Sequence, residues 1–544
     1  MTCGGADPSP CSLTPYGGLH VKSCQYKYNL PDKFHTVRQH QHAMTDLITD
    51  AFESHKFVML DAPVGTGKTL LAEMVRQRLG KRSLFITPNK NLQDQFVGDF
   101  SYAYPIKGRA NYPTANFRGK TCDECTWHQH HSCKFCEVPG TPAYVRCPYM
   151  KAVRDAIQSD VVVANTSYAL CNLKGGGGIW GRRDIVIVDE VDGLEKVLLD
   201  YLEYRFPTSQ LIELGITELP MEKTWETRNA FMQDIKRRLP AYLEVASDKK
   251  YAKKMADRML WLPGTIGGPD WMWYVEPDTG DLVVRPIRVN ELIGPLWESG
   301  VRFLFMSGTV ISPTLLAKEL GVPEGEYVSL SQASLFDPRR HPIFIQPVAR
   351  MSKDAGPTAL AKMASAVNAT VNKHPDERVL VHTVSYELCR YLGDSYRSQP
   401  GNKRPIMVAE KSGDSKRFLA VFKKLQAAVL FAPGLERGIS LDNDLCRVQV
   451  VPKVPYPNKS EVVTKERVHG KSGSLWYSLL TIRTIVQMVG RAMRGPDDFC
   501  RTYILDSAFL DLWKKYYGMF PDYFRNAAVV NGSDPLTGIL EEEA

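Results

Sequence analysis

No apolar run in the 544 residues approaches the ~20 needed to cross a bilayer as a helix. A helical membrane protein is therefore excluded. The first 24 residues hold Gly, Pro and Ser, but no basic stretch leads into an apolar one. No secretory signal is read there, and a cytoplasmic setting is expected. Charge of one sign does not dominate: 68 Lys and Arg against 60 Asp and Glu leave a net +8. That permits a polyanionic partner without demanding one. A dispersed disulfide framework is also missing. Of 12 cysteines, Cys122, Cys125, Cys133, Cys136 and Cys147 crowd into one short segment, which points to a metal or cluster site. The hydrophobic share of 44% and charged share of 24% are those of an ordinary globular protein. The length suggests three or four domains.

What is present is organised around residues 57–69, FVMLDAPVGTGKT. The first four residues read as a buried strand. Ala62, Pro63, Val64, Gly65, Thr66 and Gly67 make a tight turn, Lys68 and Thr69 follow, and residues 70–79 have helical spacing that stops at Gly80. Strand, glycine turn, Lys-Thr and helix form a phosphate-binding loop. Backbone N–H groups at the helix start face the phosphates, Lys68 reaches the β and γ oxygens, and Thr69 ligates Mg²⁺. Only the customary first glycine is replaced, by Ala62. Just upstream, Arg38 and Gln41 open a helical stretch over 43–52. A glutamine amide there both donates and accepts, as reading an adenine edge requires, though one polar helix face would look the same.

Further strands are read at 83–87, 161–164 and 185–188. The last ends in Asp189, Glu190, Val191 and Asp192. An acidic end on an apolar strand is where a parallel sheet places ligand chemistry. Beside a phosphate loop, Asp189 is the expected Mg²⁺ partner and Glu190 the base that orients the attacking water. Residues 193–290 change character: helical spacing rich in Leu, Arg, Lys and Glu runs over 201–257. It is followed by Trp271, Trp273 and Tyr274, which could stack on bases but read better as a small core, and a β-like return at 282–285. A strand at 301–306 ends in Ser307, Gly308 and Thr309.

From residue 340 a second α/β unit is expected, with strands at 343–345, 379–382, 428–431, 448–451 and 502–505 and helices between them. It has no phosphate loop. It has Gln487, Gly490, Arg491 and Arg494, placed on a helix from about Ser478, so that the two arginines share a face. Paired arginines suit a phosphate gaining charge in its transition state. A phosphate loop and acidic strand end in one α/β domain, with arginines in another, describe an ATP-driven motor.

In order along the chain, these residues resemble the motifs of the iron–sulfur branch of superfamily-2 helicases, the XPD/DinG-like group, in the compact form of its bacteriophage-type members. Arg38 and Gln41 resemble the adenine-recognition motif, 62–69 motif I, Thr87 with 92–95 (LQDQ) motif Ia, and 189–192 (DEVD) the DEAH box. Residues 307–309 resemble motif III, 436–441 (ERGISL) motif V, which includes Gly438, and 487–494 motif VI. Two positions depart. Asp192 stands where His is usual; an ionised carboxylate cannot donate, so the link from this box to motif III or VI must be rewired. Ser440 stands where Asp is common.

The resemblance implies two RecA-like parallel-sheet motor domains with a small cysteine-cluster domain and a helical arch. The expected boundaries are motor domain 1 over 1–107, 151–192 and 291–325, the cluster domain over 108–150, the arch over 193–290, and motor domain 2 over 326–544. It implies a [4Fe–4S] cluster held by four of the five cysteines, with Cys122 as the spare. By spacing alone, four thiolates suit Zn²⁺ equally. Arg109, Asn111 and Tyr112 would lie near single-stranded DNA. The implied activity is an ATP- and Mg²⁺-dependent DNA helicase moving 5′→3′ on single strands and opening duplex or forked DNA. It would act as a monomer, with no membrane partner, in a bacterial or phage-infected cytoplasm. Two other readings stand beside it: a translocase that remodels nucleic-acid complexes without processive unwinding, and a nucleic-acid-binding protein with a decayed motor. Intact Lys68, Thr69, Glu190, Arg491 and Arg494 count against the last.

Overall fold

The computed structural model describes residues 26–34, 36–114, 118–125, 147–172, 180–220, 224–259, 263–436, 439, 441, 443–470, 472–493, 495, 497–530, 532–537 and 539. Contacts divide the chain into two units. The first comprises the residues up to Leu60, Thr69–Ser307 and Pro313–Leu330; the second comprises Asp61–Lys68, Gly308–Ser312 and Ser331 onward.

The main sheet of the first unit begins with Phe57–Asp61 (β1), Ser83–Thr87 (β2), Tyr104–Ile106 (β3), Val161–Asn165 (β4) and Arg183–Asp189 (β5). The chain then leaves it for a small antiparallel sheet, Tyr204–Phe206 (β6), Trp271–Val275 (β7) and Leu282–Pro286 (β8). It returns as Gly300–Ser307 (β9) and Tyr327–Ser331 (β10). The order is β10-β1-β9-β5-β2-β4-β3. The pairings of β2 with β4 and β5, of β3 with β4 and of β5 with β9 are parallel. Continuous apolar runs explain this: β2 and β4 are buried along their whole length, as strands covered by helices on both faces must be. The small sheet packs on helices Trp225–Val245 and Lys249–Met259 through a core of its own that includes Phe206, Met232, Ile235, Met255 and Trp271.

The second unit builds another sheet from Ile343–Ala349 (β11), Val379–His382 (β12), Ile406–Val408 (β13), Val429–Ala432 (β14), Val448–Val451 (β15), Arg501–Asp506 (β16) and Ala528–Val529 (β17). Its order is β13-β14-β12-β15-β16-β11-β17, with parallel pairings throughout. The fold is thus two seven-stranded, helix-covered parallel sheets of the RecA-like kind. No described helix is long and apolar enough to cross a membrane.

Six strands escaped the sequence reading: β6 fell within the expected helical stretch over 201–257, the aromatics of β7 were read as a small core, and in the two larger sheets β3, β10, β13 and β17 were missed. These last four are short or lie at sheet edges, and β10 alternates between half-buried and exposed positions, so no apolar run announces them. Motif VI also differs from expectation. Its helix is Gly473–Val489, longer at its start than the expected Ser478, because Trp476 and Tyr477 are buried and tertiary packing overrides the weak local signal. It stops before Arg491, which sits on a 3-10 turn, Gly490–Ala492. Gly490 caps the helix, as glycine's cost in a helix interior favours. Arg491 is therefore not on the expected helix; Arg494 lies outside the described residues.

Candidate nucleotide site

The phosphate loop leaves β1 with the backbone its sequence requires. Gly65 and Gly67 have φ of +84° and +77°, the left-handed region that glycine enters without steric cost. Helix Lys68–Leu79 follows at once, so its free N–H groups open onto the loop, where they favour anions. The Thr66 hydroxyl donates to the Pro63 carbonyl at 2.8 Å and ties the turn together. Lys68 Nζ donates to the Ala62 carbonyl at 2.9 Å. Thr69 is the second residue of the helix, and Val64 lies within the turn.

The turn after β9 belongs to the same unit as this loop. A Cβ placed on Gly308 would lie 3.3 Å from the Ala62 carbonyl oxygen and 3.7 Å from Lys68 Nζ, so motif III runs beside the lysine. The Val310 N–H approaches the Asp61 carboxylate at 3.4 Å. Helix Gly473–Val489 reaches this turn with two side chains four residues apart. Gln487 Nε2 donates to the Thr309 hydroxyl at 2.9 Å, and Arg483, 1% exposed, donates to the Val310 carbonyl at 3.4 Å. Sequence reading missed Arg483. Its signal was a charged residue one turn before Gln487 in an otherwise apolar helix. It also missed Tyr523, whose buried hydroxyl reaches the Gly308 carbonyl at 3.4 Å. Burial and the nearby Asp61 carboxylate raise that hydroxyl far above the usual tyrosine range. Arg491 is held by its own neighbours: Nε donates to the Gln487 carbonyl at 3.1 Å and one terminal nitrogen to the Ile439 carbonyl at 3.0 Å. Gly438 and Ser440 lie outside the described residues.

In the first unit, β5 ends at Asp189 and the chain turns sharply. Glu190 has φ +50° and ψ +46°, a left-handed conformation that costs a non-glycine residue about 1–2 kcal/mol and is characteristic of functional sites. The turn carries Asp192 back under β9. There the Ser307 hydroxyl donates to Asp192 Oδ1 at 2.8 Å, both groups buried. The link from acidic box to motif III therefore survives the missing histidine, with the donor on the other partner. Arg38 caps helix Gln39–Ala51, and its N–H donates to Gln41 Oε1 at 2.9 Å; Gln41 is itself buried.

Of the five clustered cysteines, Cys133 and Cys136 lie outside the described residues. Cys122 and Cys125 are buried and Cys147 half-buried. The Cys122 and Cys147 side chains meet; burial pushes the Cys122 thiol up to about 11, and the neighbouring Cys147 thiol adds to the rise. Among the described residues no three His, Cys, Asp or Glu side chains converge. The Cys122 and Cys147 thiols are two donors of the kind a soft metal or an iron–sulfur cluster takes. Cys122, expected to be the spare, is the one that meets Cys147. Cys147 caps helix Pro148–Gln158. Beside it the Arg109 guanidinium sits 4.2 Å from the Tyr149 ring centre, Tyr112 packs edge-on against Tyr149, and Lys90 Nζ donates to Asn111 Oδ1 at 2.9 Å. Arg109, Asn111 and Tyr112 thus form one partly exposed patch with a basic and aromatic character.

Comparison with known proteins follows the same order along the chain. Residues 34–191 match the family described as type III restriction enzyme, res subunit, and residues 367–527 the helicase C-terminal domain family. The ATP-dependent DNA helicase XPD of Sulfolobus acidocaldarius is 20% identical over 547 residues, spanning 88% of this chain and 97% of that protein. The helicase YoaA of Escherichia coli is 20% identical over 85% of this chain and 90% of its own. The helicase CHL1 of Vanderwaltozyma polyspora is 28% identical, but over 26% of this chain and only 20% of that protein. Two solved structures share the fold: XPD_Helicase, with a TM-score of 0.62 at 17% identity over 91% of this chain and 100% of the other, and S. tokodaii Xpd4, with a TM-score of 0.59 at 16% identity over the same shares.

Proposed function

We infer, from the resemblance of the chain's ordered motifs to those of the XPD/DinG-like group of superfamily-2 helicases, that it is an ATP-dependent DNA helicase that translocates 5′→3′ on single-stranded DNA and opens forked duplexes. The observation that carries the reading is the Gln487–Thr309 hydrogen bond. It joins motif VI to the turn running beside Lys68, so the state of a bound phosphate is felt by the helix that leads into the turn bearing Arg491. In this reading the loop over 62–67 and Lys68 hold the triphosphate. Thr69 and Asp189 hold Mg²⁺, which neutralises developing charge when bound. Glu190 orients the attacking water, Arg491 and Arg494 meet the phosphoryl oxygens, and Arg38, Gln41 and Gly438 complete the nucleotide pocket.

Residues 108–150 form the cluster domain, with Cys122 and Cys147 among the ligands and two more drawn from Cys125, Cys133 and Cys136. A [4Fe–4S] cluster is favoured over Zn²⁺ by the family resemblance. Residues 193–290 form the arch, and the Arg109, Asn111 and Tyr112 patch contacts the DNA strand. Such contacts make binding strongly salt-dependent and weakly sequence-dependent. Two motor domains in one chain make a monomer sufficient.

The test is strand displacement on 5′-tailed and 3′-tailed duplexes with ATP and Mg²⁺, using anaerobically purified protein. Opening of the 5′-tailed substrate alone is expected, and Lys68→Ala is expected to abolish both opening and ATP hydrolysis. Opening from 3′ tails would overturn the polarity. DNA-stimulated hydrolysis without opening would leave a translocase. Cys147→Ser should strip iron from the purified protein; loss of zinc instead would overturn the cluster assignment.

A further inference from the structure

The core of the second sheet contains a polar pair that packing does not call for. Val379, Leu380, Val381, Val448, Val450 and Val451 are buried on β12 and β15. Among them stand His382, at the end of β12, and Gln449, on β15, 1% and 0% exposed. Burying an imidazole and an amide costs free energy unless each is hydrogen-bonded. Here they satisfy one another: His382 Nε2 and Gln449 Oε1 are 2.9 Å apart. Gln449 Nε2 then donates to the Val489 carbonyl at 3.1 Å and approaches Cys500 Sγ at 3.6 Å. Because that nitrogen faces a carbonyl, the amide oxygen must face His382, and His382 must carry its proton on Nε2. Burial favours the neutral imidazole; the Gln449 bond and then Glu436 oppose it, and the nearby Arg491 guanidinium adds to it.

The carbonyl that Gln449 holds is the last of helix Gly473–Val489. It is one of the four that a helix end leaves without an intrahelical partner. Its position fixes where the helix stops and where the 3-10 turn bearing Arg491 begins. The Arg491 main chain is also pinned, since its carbonyl accepts from the Leu441 N–H at 3.1 Å. We propose that His382 and Gln449 are positioning residues for Arg491, a buried relay from the end of β12 through the Gln449 amide to the Val489 carbonyl that sets the reach of the arginine. Replacing His382 and Gln449 together removes both partners of their mutual bond, which is nearly neutral for stability, but leaves the Val489 carbonyl without its side-chain donor, a loss that the Arg491→Ala background distinguishes from a loss of reach. A purely structural role and a positioning role are therefore separable.

The inference rests on reading Arg491 as the group that meets the nucleotide's phosphates. The experiment is steady-state DNA-stimulated ATP hydrolysis by the full chain and by the double variant His382→Phe/Gln449→Met, each with Arg491 intact and with Arg491→Ala. The expected result is an unchanged circular-dichroism spectrum, a KM for ATP within about twofold of wild type and a kcat lower by about tenfold, a size that misplacing a catalytic group readily reaches. On the Arg491→Ala background the double variant should cause no further fall. A normal kcat, or a second tenfold fall on that background, overturns the proposal. Absence of hydrolysis by the wild-type chain would instead defeat the reading of the site. Should the double variant not fold, Gln449→Asn serves: its amide is one methylene too short to reach Val489. The same kcat loss is expected, and an unchanged kcat overturns the relay. His382→Gln keeps an N–H for the Gln449 oxygen and should restore kcat to within about twofold of wild type.

Discussion

Removing the Ser307 hydroxyl tests whether the altered acidic box is still wired to motif III. The hydroxyl donates to Asp192 Oδ1 at 2.8 Å, and the two residues are 0% and 5% exposed. A buried hydrogen bond to a charged partner contributes about 1.5–3 kcal/mol. Ser307→Ala should therefore lower the unfolding free energy by about 2 kcal/mol. Asp192→Asn keeps an oxygen for the hydroxyl and loses only the charge assistance, about half of the bond's worth, so its cost should be near 1 kcal/mol. In the double variant the losses should overlap by about 1 kcal/mol, since both act on one bond. Urea unfolding followed by circular dichroism measures all three. The same variants should lower the base pairs opened per ATP hydrolysed more than they lower hydrolysis itself, because the bond joins the end of β5 to the end of β9 without touching the phosphate loop. A Ser307→Ala loss below about 0.5 kcal/mol, or full additivity with Asp192→Asn, would refute the rewired link.

Two further outcomes follow from local geometry. Gly65→Ala would place a Cβ 2.2 Å from the Phe336 ring at a backbone φ of +84°; ATP affinity should fall by about tenfold or more, and Phe336→Ala should restore the part due to the clash when nucleotide binding is measured by fluorescence. His341, 6% exposed, is held down to about 4 from 6.5 by burial, against a smaller opposing effect of Asp337. Its folded-state pKa is depressed, so its contribution is complete above about pH 6.5 and is lost as pH falls towards 4. Denaturant midpoints of the wild type should drop across that window, and His341→Gln should flatten the drop; an unaltered slope would remove His341 as its source.

Much of the fold was legible because it rests on signals that are local and redundant. The strand at 57–60, the GKT turn and the helix to Leu79 each predict the same backbone, and the structure places Phe57–Asp61, positive φ at Gly65 and Gly67, and Lys68–Leu79 there. The same holds for β2, β4, β5 and the β12 and β15 runs, whose apolar residues need no partner to be recognised. The site was legible only as a set of motifs. Which atoms meet was not, because a hydrogen bond between distant residues leaves no periodicity. The 115-residue separation of Asp192 and Ser307 hides a bond that chemistry alone could only require, not locate. Arg491 shows the opposite failure: helical spacing placed it on the motif VI helix, and one glycine ended that helix first.

The buried polar placements share a physical cause. A polar side chain in an apolar element is ambiguous in sequence, since burial makes it costly and only a partner makes it tolerable. Asp192, Arg483, Gln487, His382 and Gln449 are all nine-tenths or more buried, and each bond given for them leads to a strand end, to a helix end or to the turn after β9. Uncoupled packing would put apolar residues at those points. Polar ones fix direction as well as distance, which is what an ATP-driven machine needs where a phosphate's loss must move a helix. The kinetic loss expected of His382→Phe/Gln449→Met, which vanishes on the Arg491→Ala background, set against the stability loss expected of Ser307→Ala, separates bonds that aim a side chain from bonds that hold a fold.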